Sequence, residues 1–180
     1  MDNLLIYDVV FDEESLGITA VSLVDRPAIE CDFMKFKEDE QQMKVFLNEE
    51  KREIIGPALI PDKLIYRTYK GQEFFIRFSR EVIEDLAFQY FQNGWLDNVT
   101  IMHEEGETPF SCLVDGIECN HCWIETEDYS KAKEYGFDLP LGTWMLGFHV
   151  SDDNIWNQIK QSKLRGFSIE AFLNIELNNK

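Results

Sequence analysis

The chain has 180 residues, with 34 acidic against 17 basic side chains and a net charge of −17. Hydrophobic residues make up 44 % and aromatic residues 13 % of it, which is enough apolar material for a sizeable core and excludes a disordered chain. The acidic excess argues against nucleic acid as a partner, because affinity for a phosphate backbone comes mainly from Lys and Arg.

The N-terminus and the hydropathy pattern predict a cytoplasmic protein. The first 14 residues show no basic leader followed by an apolar stretch, so no secretory signal is expected. No run of about 18 apolar residues occurs, so we expect no membrane-spanning segment. In the cytoplasm the four cysteines should stay reduced, namely Cys31, Cys112, Cys119 and Cys122.

Two short apolar segments begin the chain. Residues 4–11 and 18–24 predict strands around a turn, and Pro27 ends their pairing because proline has no N–H to donate. Residues 33–44 mix charges without a strong period and predict an exposed connector or an edge hairpin. We therefore divide the chain into an N-terminal β-hairpin with an acidic connector over residues 1–44, which could belong to the same domain, and a main domain over residues 45–180.

Denser strand signals begin at Val45. Alternating apolar residues between turn residues are typical of strands. On this basis the sequence predicts strands at residues 45–48, 53–60, 64–68, 73–78, 98–103, 110–115, 119–125, 142–150 and 167–177.

Three helices are expected among these strands. Ser79 is placed to N-cap a helix whose apolar stripe ends before Gly94. A short helix is predicted over residues 129–135, and Ser151 is expected to cap a third helix that Gly166 breaks. The sum predicts an α+β fold, built on a mostly antiparallel β-barrel or strongly bent sheet and flanked by about three helices.

A serine opens the last predicted strand. Ser168 follows Gly166 and Phe167 at a helix-to-strand junction. A nucleophilic serine needs a histidine in hydrogen-bond reach and backbone donors for the oxyanion, and a neighbouring glycine lets backbone approach a substrate closely. Taken alone, a serine at such a position is more often structural.

The chain has three histidines. His103 ends an apolar strand before a loop, which suits a general base, although a surface histidine at a strand end explains it equally well. His149 is interpreted as a residue beside the core. His121 lies between Cys119 and Cys122, and this spacing is found in zinc sites and in redox-active dithiols. No second cysteine pair is present and the segment predicts a strand, so no metal or other cofactor is expected.

Short blocks lie along the chain in an order shared with one known family. They are residues 21–29, 33–36, 56–62, 65–67, 78–81, 99–103, 136–137, 139–140, 142–144 and 166–170. In this order they resemble the phage prohead proteases, in particular the XkdF-like phage serine proteases. The resemblance covers most of the chain.

The resemblance implies a fold and an activity. The fold would be like that of the herpesvirus assemblins, a β-barrel flanked by helices. The activity would be that of a serine endopeptidase, with Ser168 as nucleophile and His103 as general base, without a cofactor. Its partners would be phage scaffold and major capsid proteins, with self-association into a homo-oligomer left open. It would act in the bacterial cytoplasm, inside the assembling prohead.

The third catalytic group is not implied by the resemblance. Assemblins have a second histidine after the serine, whereas none of the 12 residues after Ser168 (180 − 168) is histidine. Glu170 shares a strand face with Ser168, about 7 Å along the backbone, and is our candidate for orienting His103. The alternatives are Asp115, His121 and Glu176.

Residues before the serine are assigned to the substrate and oxyanion region. Their backbone is expected to supply part of the oxyanion hole, and Arg165, Gly166 and Phe167 are the residues concerned. Arg165 is also a candidate for positioning the substrate or a water molecule, and a solvent-facing charge at a helix end is the alternative. The other function considered is a non-catalytic head-assembly protein that keeps the protease fold and binds scaffold or capsid subunits.

Overall fold

The computed structural model describes residues 4–12, 15–28, 34–35, 51–104, 107–108 and 110–178. Within them lie eleven strands and two α-helices. The strands are β1 (Leu5–Val10), β2 (Gly17–Val24), β3 (Met34–Lys35), β4 (Glu53–Leu59), β5 (Ile65–Tyr69), β6 (Gln72–Arg77), β7 (Val99–Ile101), β8 (Ile117–Ile124), β9 (Trp144–Val150), β10 (Gly166–Phe172) and β11 (Asn174–Leu177). The helices are α1 (Arg80–Gln92) and α2 (Asp153–Lys160). The predicted strand at 45–48 and most of the predicted connector at 33–44 lie outside the described residues.

The strands form three small sheets. Their orders are β11-β1-β6-β5, β10-β2-β7 and β3-β4-β9-β8. The predicted α+β barrel or bent sheet with about three helices is therefore wrong, because the described residues form a mostly β fold with two helices and no closed barrel. One reason is that residues 110–115, predicted as a strand, form turns and irregular chain, so the sheet ends at the short β7.

The C-terminal strand links two of the sheets. Its first part, β10, pairs antiparallel with β2, and its second part, β11, pairs antiparallel with β1. The strands β1 and β2 lie close to their predicted positions, but the predicted hairpin pairing between them is wrong, because each pairs with the distant C-terminal strand instead. Alternation of apolar residues sets which face of a strand is buried, and it does not name the partner strand.

The two helices begin at side-chain caps. Ser79 caps α1 as predicted, since its hydroxyl accepts a hydrogen bond from the backbone N–H of Val82 at 3.3 Å. Asp152, not Ser151, caps α2, and its carboxylate accepts from the N–H of Ile155 at 2.8 Å. A carboxylate also suits the positive end of the helix dipole. Among the described residues, neither helix has the length and apolar character needed to span a membrane.

The third predicted helix is much shorter than expected. Residues 129–135 contain only a 3-10 turn, Ala132–Tyr135. Gly136 ends this turn with a left-handed φ of 83°, a conformation that glycine adopts without steric cost.

A buried carboxylate fixes the loop that leads into this turn. Glu125 is only 2 % exposed and accepts hydrogen bonds from four groups. The donors are Trp123 Nε1 (2.6 Å), Ser130 Oγ (2.6 Å) and the backbone N–H groups of Lys131 (3.0 Å) and Ala132 (2.8 Å). Burial by itself raises the pKa of Glu125, but these hydrogen bonds outweigh it and hold the pKa below its ordinary value.

Aromatic contacts hold the layers together. Trp144 of β9 packs edge-on against Tyr90 of α1, with ring centroids 5.7 Å apart. Phe148 of β9 packs in the same way against Phe167 of β10 at 5.4 Å. All four rings are buried. The second contact anchors β10 at the residue directly before Ser168.

We predict that Glu125→Ala lowers the free energy of unfolding by about 3 kcal/mol or more, because it leaves several buried donors without an acceptor. Urea denaturation measures this change. The exposed Glu127 lies in the same loop, and Glu127→Ala should change the free energy by less than about 0.5 kcal/mol.

The contribution of Glu125 also has a definite pH dependence. Because its pKa is lower in the folded chain, its stabilisation is present above the unfolded pKa and is lost as pH falls through the folded pKa. The difference between wild type and Glu125→Ala should therefore shrink in acid. Equal effects of Glu125→Ala and Glu127→Ala would contradict this role.

Candidate active site

Three hydroxyl side chains form a row across the sheet β10-β2-β7. Ser168 of β10 is opposite Ser22 of β2, and Ser22 is opposite Thr100 of β7. Side chains at opposite positions of neighbouring strands share one face of a sheet. All three residues are buried, with Ser168 5 % exposed. The row therefore brings three polar groups together in a largely apolar part of the molecule.

Glu170 lies two residues after Ser168 and shares its face of β10. Its Oε1 accepts a hydrogen bond from the Thr100 hydroxyl at 2.5 Å and lies 3.3 Å from Nδ1 of His103. Burial raises the pKa of Glu170, but the hydrogen bonds from His103 and Thr100 and the attraction of His103 outweigh it and lower the pKa. Glu170 is thus held as a carboxylate, and since a carboxylate only accepts, Nδ1 of His103 is the donor.

The backbone of His103 is held in an uncommon conformation. Met102 and His103 both have a φ of 54°, in the left-handed region that costs a non-glycine residue about 1–2 kcal/mol. The predicted strand at 98–103 therefore ends at Ile101. Two hydrogen bonds hold the turn, from the N–H of Met102 to the Leu23 carbonyl and from the N–H of His103 to the Ser22 hydroxyl, both at 2.9 Å. Ser22 fixes the backbone from which the imidazole projects.

Ser168, His103 and Glu170 line a single cleft of about 850 Å³. Among the described residues, neither the Ser168 hydroxyl nor Nε2 of His103 has a hydrogen-bond partner. The side chains of Ser168 and Glu170 project about 7 Å apart along the strand. No hydrogen bond joins Ser168 to His103 in the described part of the chain, so proton transfer between them would need the hydroxyl and the ring to move closer together. The arrangement can support a serine nucleophile with an oriented histidine base.

The three residues predicted for the substrate and oxyanion region, Arg165, Gly166 and Phe167, lie in different surroundings. The Phe167 side chain is buried in the core against Phe148, so only its backbone could meet a substrate. Gly166 is buried and pairs with Val24. Arg165 lines a second cleft, of about 440 Å³.

The alternative orienting groups do not line the cleft that contains Ser168. Asp115 lies in the bend before β8. His121 lies on β8, where its ring faces Trp123 and Tyr135. Glu176 lies on β11, opposite Asp8 of β1. Of the four carboxylates and histidines considered for this role, Glu170 is the one that the structure brings to His103.

The two thiols around His121 favour their protonated form, although Cys119 is only partly buried and Cys122 is exposed. Burial raises the pKa of Cys119 to about 12 and also raises that of Cys122. The Cys119 thiol donates to the His121 carbonyl, and Cys122 Sγ accepts from Trp144 Nε1, both at 3.4 Å. A reactive thiol is deprotonated, so a raised pKa argues against a redox role for this pair. The described residues contain no group of three or more His, Cys, Asp or Glu side chains that could hold a metal ion.

Sequence reasoning missed Ser22 and Thr100. In the sequence, the only feature that marks these two residues is that each places a hydroxyl within an otherwise apolar strand segment. Thr100 is 70 positions from Glu170 and Ser22 is 81 positions from His103, so no local pattern joins these pairs.

A comparison of the chain with models of known protein families, with curated proteins and with solved structures finds no match.

Thr100→Val should raise the pKa of Glu170, because it removes a donor that favours the carboxylate. A pH titration of the side-chain carboxyl carbon by NMR measures the pKa. The matched control is Thr19→Val, since the buried Thr19 hydroxyl donates to the backbone carbonyl of the same Glu170 and not to its carboxylate. No shift in Thr100→Val, or equal shifts in the two variants, would contradict the geometry.

The facing serines should respond differently to loss of their hydroxyls. Ser22→Ala leaves the His103 N–H without its acceptor and should destabilise the protein by about 1–3 kcal/mol. Ser168→Ala removes a hydroxyl that has no partner in the described part of the chain, so its effect should stay within about 0.5 kcal/mol. Thermal and urea unfolding compare the two variants, and the reverse order of effects would contradict the assignment.

Proposed function

We propose that the chain is a serine endopeptidase with Ser168 as nucleophile, His103 as general base and Glu170 as the group that orients His103. The observation that carries the proposal is the 3.3 Å approach of Glu170 Oε1 to His103 Nδ1 in the cleft that Ser168 also lines. A serine, a base and an orienting acid at one site are the recurring parts of such catalysis.

Each part has a defined chemical role. Neutral His103 donates its Nδ1 proton to Glu170, which leaves Nε2 to accept the proton of the Ser168 hydroxyl. The Ser168 oxygen forms a bond to the carbonyl carbon of the scissile amide. As the C–N bond breaks, Nε2 returns the proton to the leaving amine, and an acyl ester on Ser168 remains. Water, deprotonated by Nε2, then releases the acid product and restores the hydroxyl.

Glu170 stays ionised through this cycle. Its carboxylate fixes the tautomer of His103 and stabilises the imidazolium that forms when Nε2 takes a proton. The hydrogen bond from Thr100 holds the carboxylate in place and favours its charged form. Thr100 is thus a positioning residue for Glu170, as Ser22 is for His103.

The Arg165 N–H donates to the Val24 carbonyl at 2.7 Å, so the oxyanion would be held by backbone N–H groups of the residues that follow it, within 166–168. Gly166 carries no side chain, which lets the substrate approach this backbone closely. The Phe167 ring, packed against Phe148, keeps this part of β10 rigid. Rigid donors cost no reorganisation when charge develops on the oxyanion.

The proposed substrates are phage scaffold and major capsid precursors, cleaved inside the assembling prohead in the bacterial cytoplasm. This part of the proposal rests on the resemblance of the sequence blocks to the prohead proteases. A net charge of −17 suits packing among basic protein partners and away from DNA.

The test is co-expression of the chain with the scaffold and capsid proteins of its phage, with processing followed by mass spectrometry. Ser168→Ala should abolish processing and His103→Ala should slow it at least about a thousandfold. Glu170→Gln should slow it by about a hundredfold or more. The control is Ser111→Ala, a serine outside the buried row, which should process at the wild-type rate.

A fluorophosphonate probe gives a second readout of the nucleophile. The wild-type protein should be labelled on the peptide that contains Ser168, and labelling should fall in His103→Ala. Wild-type processing rates in both Ser168→Ala and His103→Ala would contradict the proposal. Binding of scaffold protein without any processing by the wild type would favour the non-catalytic assembly role.

A further inference from the structure

Helix α1 keeps two phenylalanine side chains on the surface of the molecule. Phe88 is 61 % exposed and Phe91 is 60 % exposed, and among the large apolar side chains of the described residues only Tyr69, at 63 %, is more exposed. A tyrosine keeps a hydroxyl in water, whereas a phenylalanine has no polar atom that offsets its exposure. Two such rings close together on one helix mark a surface that another molecule can cover.

The packing of α1 against the rest of the molecule does not depend on these rings. The buried side chains of the helix supply that packing, and they are Ile83, Leu86, Ala87 and Tyr90. Because each residue of a helix is rotated by about 100° from the one before, Phe88 and Phe91 lie about 60° apart, and both fall outside the buried stripe. Substitution of the two rings should therefore leave the fold intact.

Acidic side chains lie on the same side of α1 as the two rings. Glu81, Glu84 and Asp85 precede Phe88 by seven, four and three positions, which are the spacings of neighbours along one face of a helix. Arg80 is the only basic residue of α1, and it forms an ion pair with Glu84 at 2.9 Å. Glu81 and Asp85 are exposed, and neither forms an ion pair within the described part of the chain. The same face thus combines exposed apolar rings with a net negative charge.

We propose that the outer face of α1, formed by Glu81, Asp85, Phe88 and Phe91, is a docking site for a segment of a partner protein that carries lysine or arginine beside apolar side chains. The apolar side chains of the segment would cover the two rings, and its cations would meet the two carboxylates. Aromatic contacts at the centre and complementary charges around them are common features of protein interfaces. None of the four residues lines the cleft that contains Ser168, so this surface goes beyond the proposed peptidase function.

Charge distinguishes this partner from the other molecules that could cover an apolar face. A second copy of the chain would place the same carboxylates against each other, and a nucleic acid would bring phosphates against them. Anionic lipid headgroups would be repelled in the same way. The net charge of −17 adds to each of these repulsions. A basic and partly apolar protein segment is the occupant that suits both the rings and the carboxylates.

Binding is measured with a synthetic peptide of leucine and lysine that forms an amphipathic helix. The full chain carries Ser168→Ala, so that the peptide stays intact, and fluorescence anisotropy follows a dye on the peptide. One control peptide has glutamate in place of lysine, and the other keeps the lysines and has serine in place of leucine. The leucine–lysine peptide should bind at least about tenfold more tightly than either control.

Substitutions on α1 test where the peptide binds. Phe88→Ser combined with Phe91→Ser should weaken binding about tenfold or more, and Asp85→Lys should weaken it about threefold or more. The matched controls are Tyr69→Ser, which removes an equally exposed ring on β5, and Glu176→Lys, which reverses an exposed charge on β11. Both controls should bind the peptide as before.

Amide NMR spectra give a readout that does not depend on the folding of any α1 variant. When the leucine–lysine peptide is added to the chain with α1 unchanged, the amide signals of α1 should shift more than those of β5 and β11. The largest shifts at β5 or β11 would overturn the docking site.

Further results would also overturn this docking site. Peptide binding that survives the loss of both rings, or that is equal for the three peptides, would do so. A chain that dimerises in sedimentation velocity, and becomes monomeric with Phe88→Ser and Phe91→Ser, would show that a second copy covers the face. Binding to phosphatidylcholine vesicles that is lost with the same two substitutions would show that lipid covers it. Because these measurements do not involve cleavage, the docking site and the peptidase function stand or fall separately.

Discussion

The carboxylate of Glu170 joins three parts of the molecule in one place. It belongs to β10, accepts a hydrogen bond from Thr100 of β7 and contacts the imidazole of His103 in the turn that follows β7. Ser22 of the intervening β2 holds the backbone of that turn. The three buried hydroxyls therefore differ in their contacts. Thr100 holds the carboxylate of Glu170 and Ser22 holds the backbone of His103, while the Ser168 hydroxyl has no hydrogen-bond partner among the described residues. Because Ser168 lines the cleft, its hydroxyl is open to a ligand there.

Local patterns in the sequence predicted some elements well. The cap at Ser79 and the strand at Trp144–Val150 depend on neighbouring residues, and both are found close to where they were expected. The candidate residues Ser168, His103 and Glu170 were named from the sequence and lie in one cleft. That grouping came from family resemblance and strand alternation and not from any pattern that joins distant segments.

The sequence-based predictions failed where the structure depends on contacts between residues that are far apart in the chain. Residues 4–11 and 18–24 were expected to pair with each other because neighbouring strands often pair, but each of these strands pairs with the C-terminal strand on one side and with β6 or β7 on the other. The left-handed turn at Met102 and His103 was missed because a positive φ is uncommon for residues other than glycine, and this turn is held by hydrogen bonds that its N–H groups donate to β2. Ser22 and Thr100 were missed for the same reason, since their roles are defined by residues far along the chain.

The tautomer of the His103 ring is the most direct test of the central claim that Glu170 orients His103 toward Ser168. Long-range proton–nitrogen NMR correlation on the full chain, at a pH where the ring is neutral, distinguishes a proton on Nδ1 from one on Nε2. The structure predicts the proton on Nδ1, donated to Glu170, with Nε2 open to accept from Ser168. A ring that carries its proton on Nε2 could not take the proton of the Ser168 hydroxyl, and this result would contradict the account.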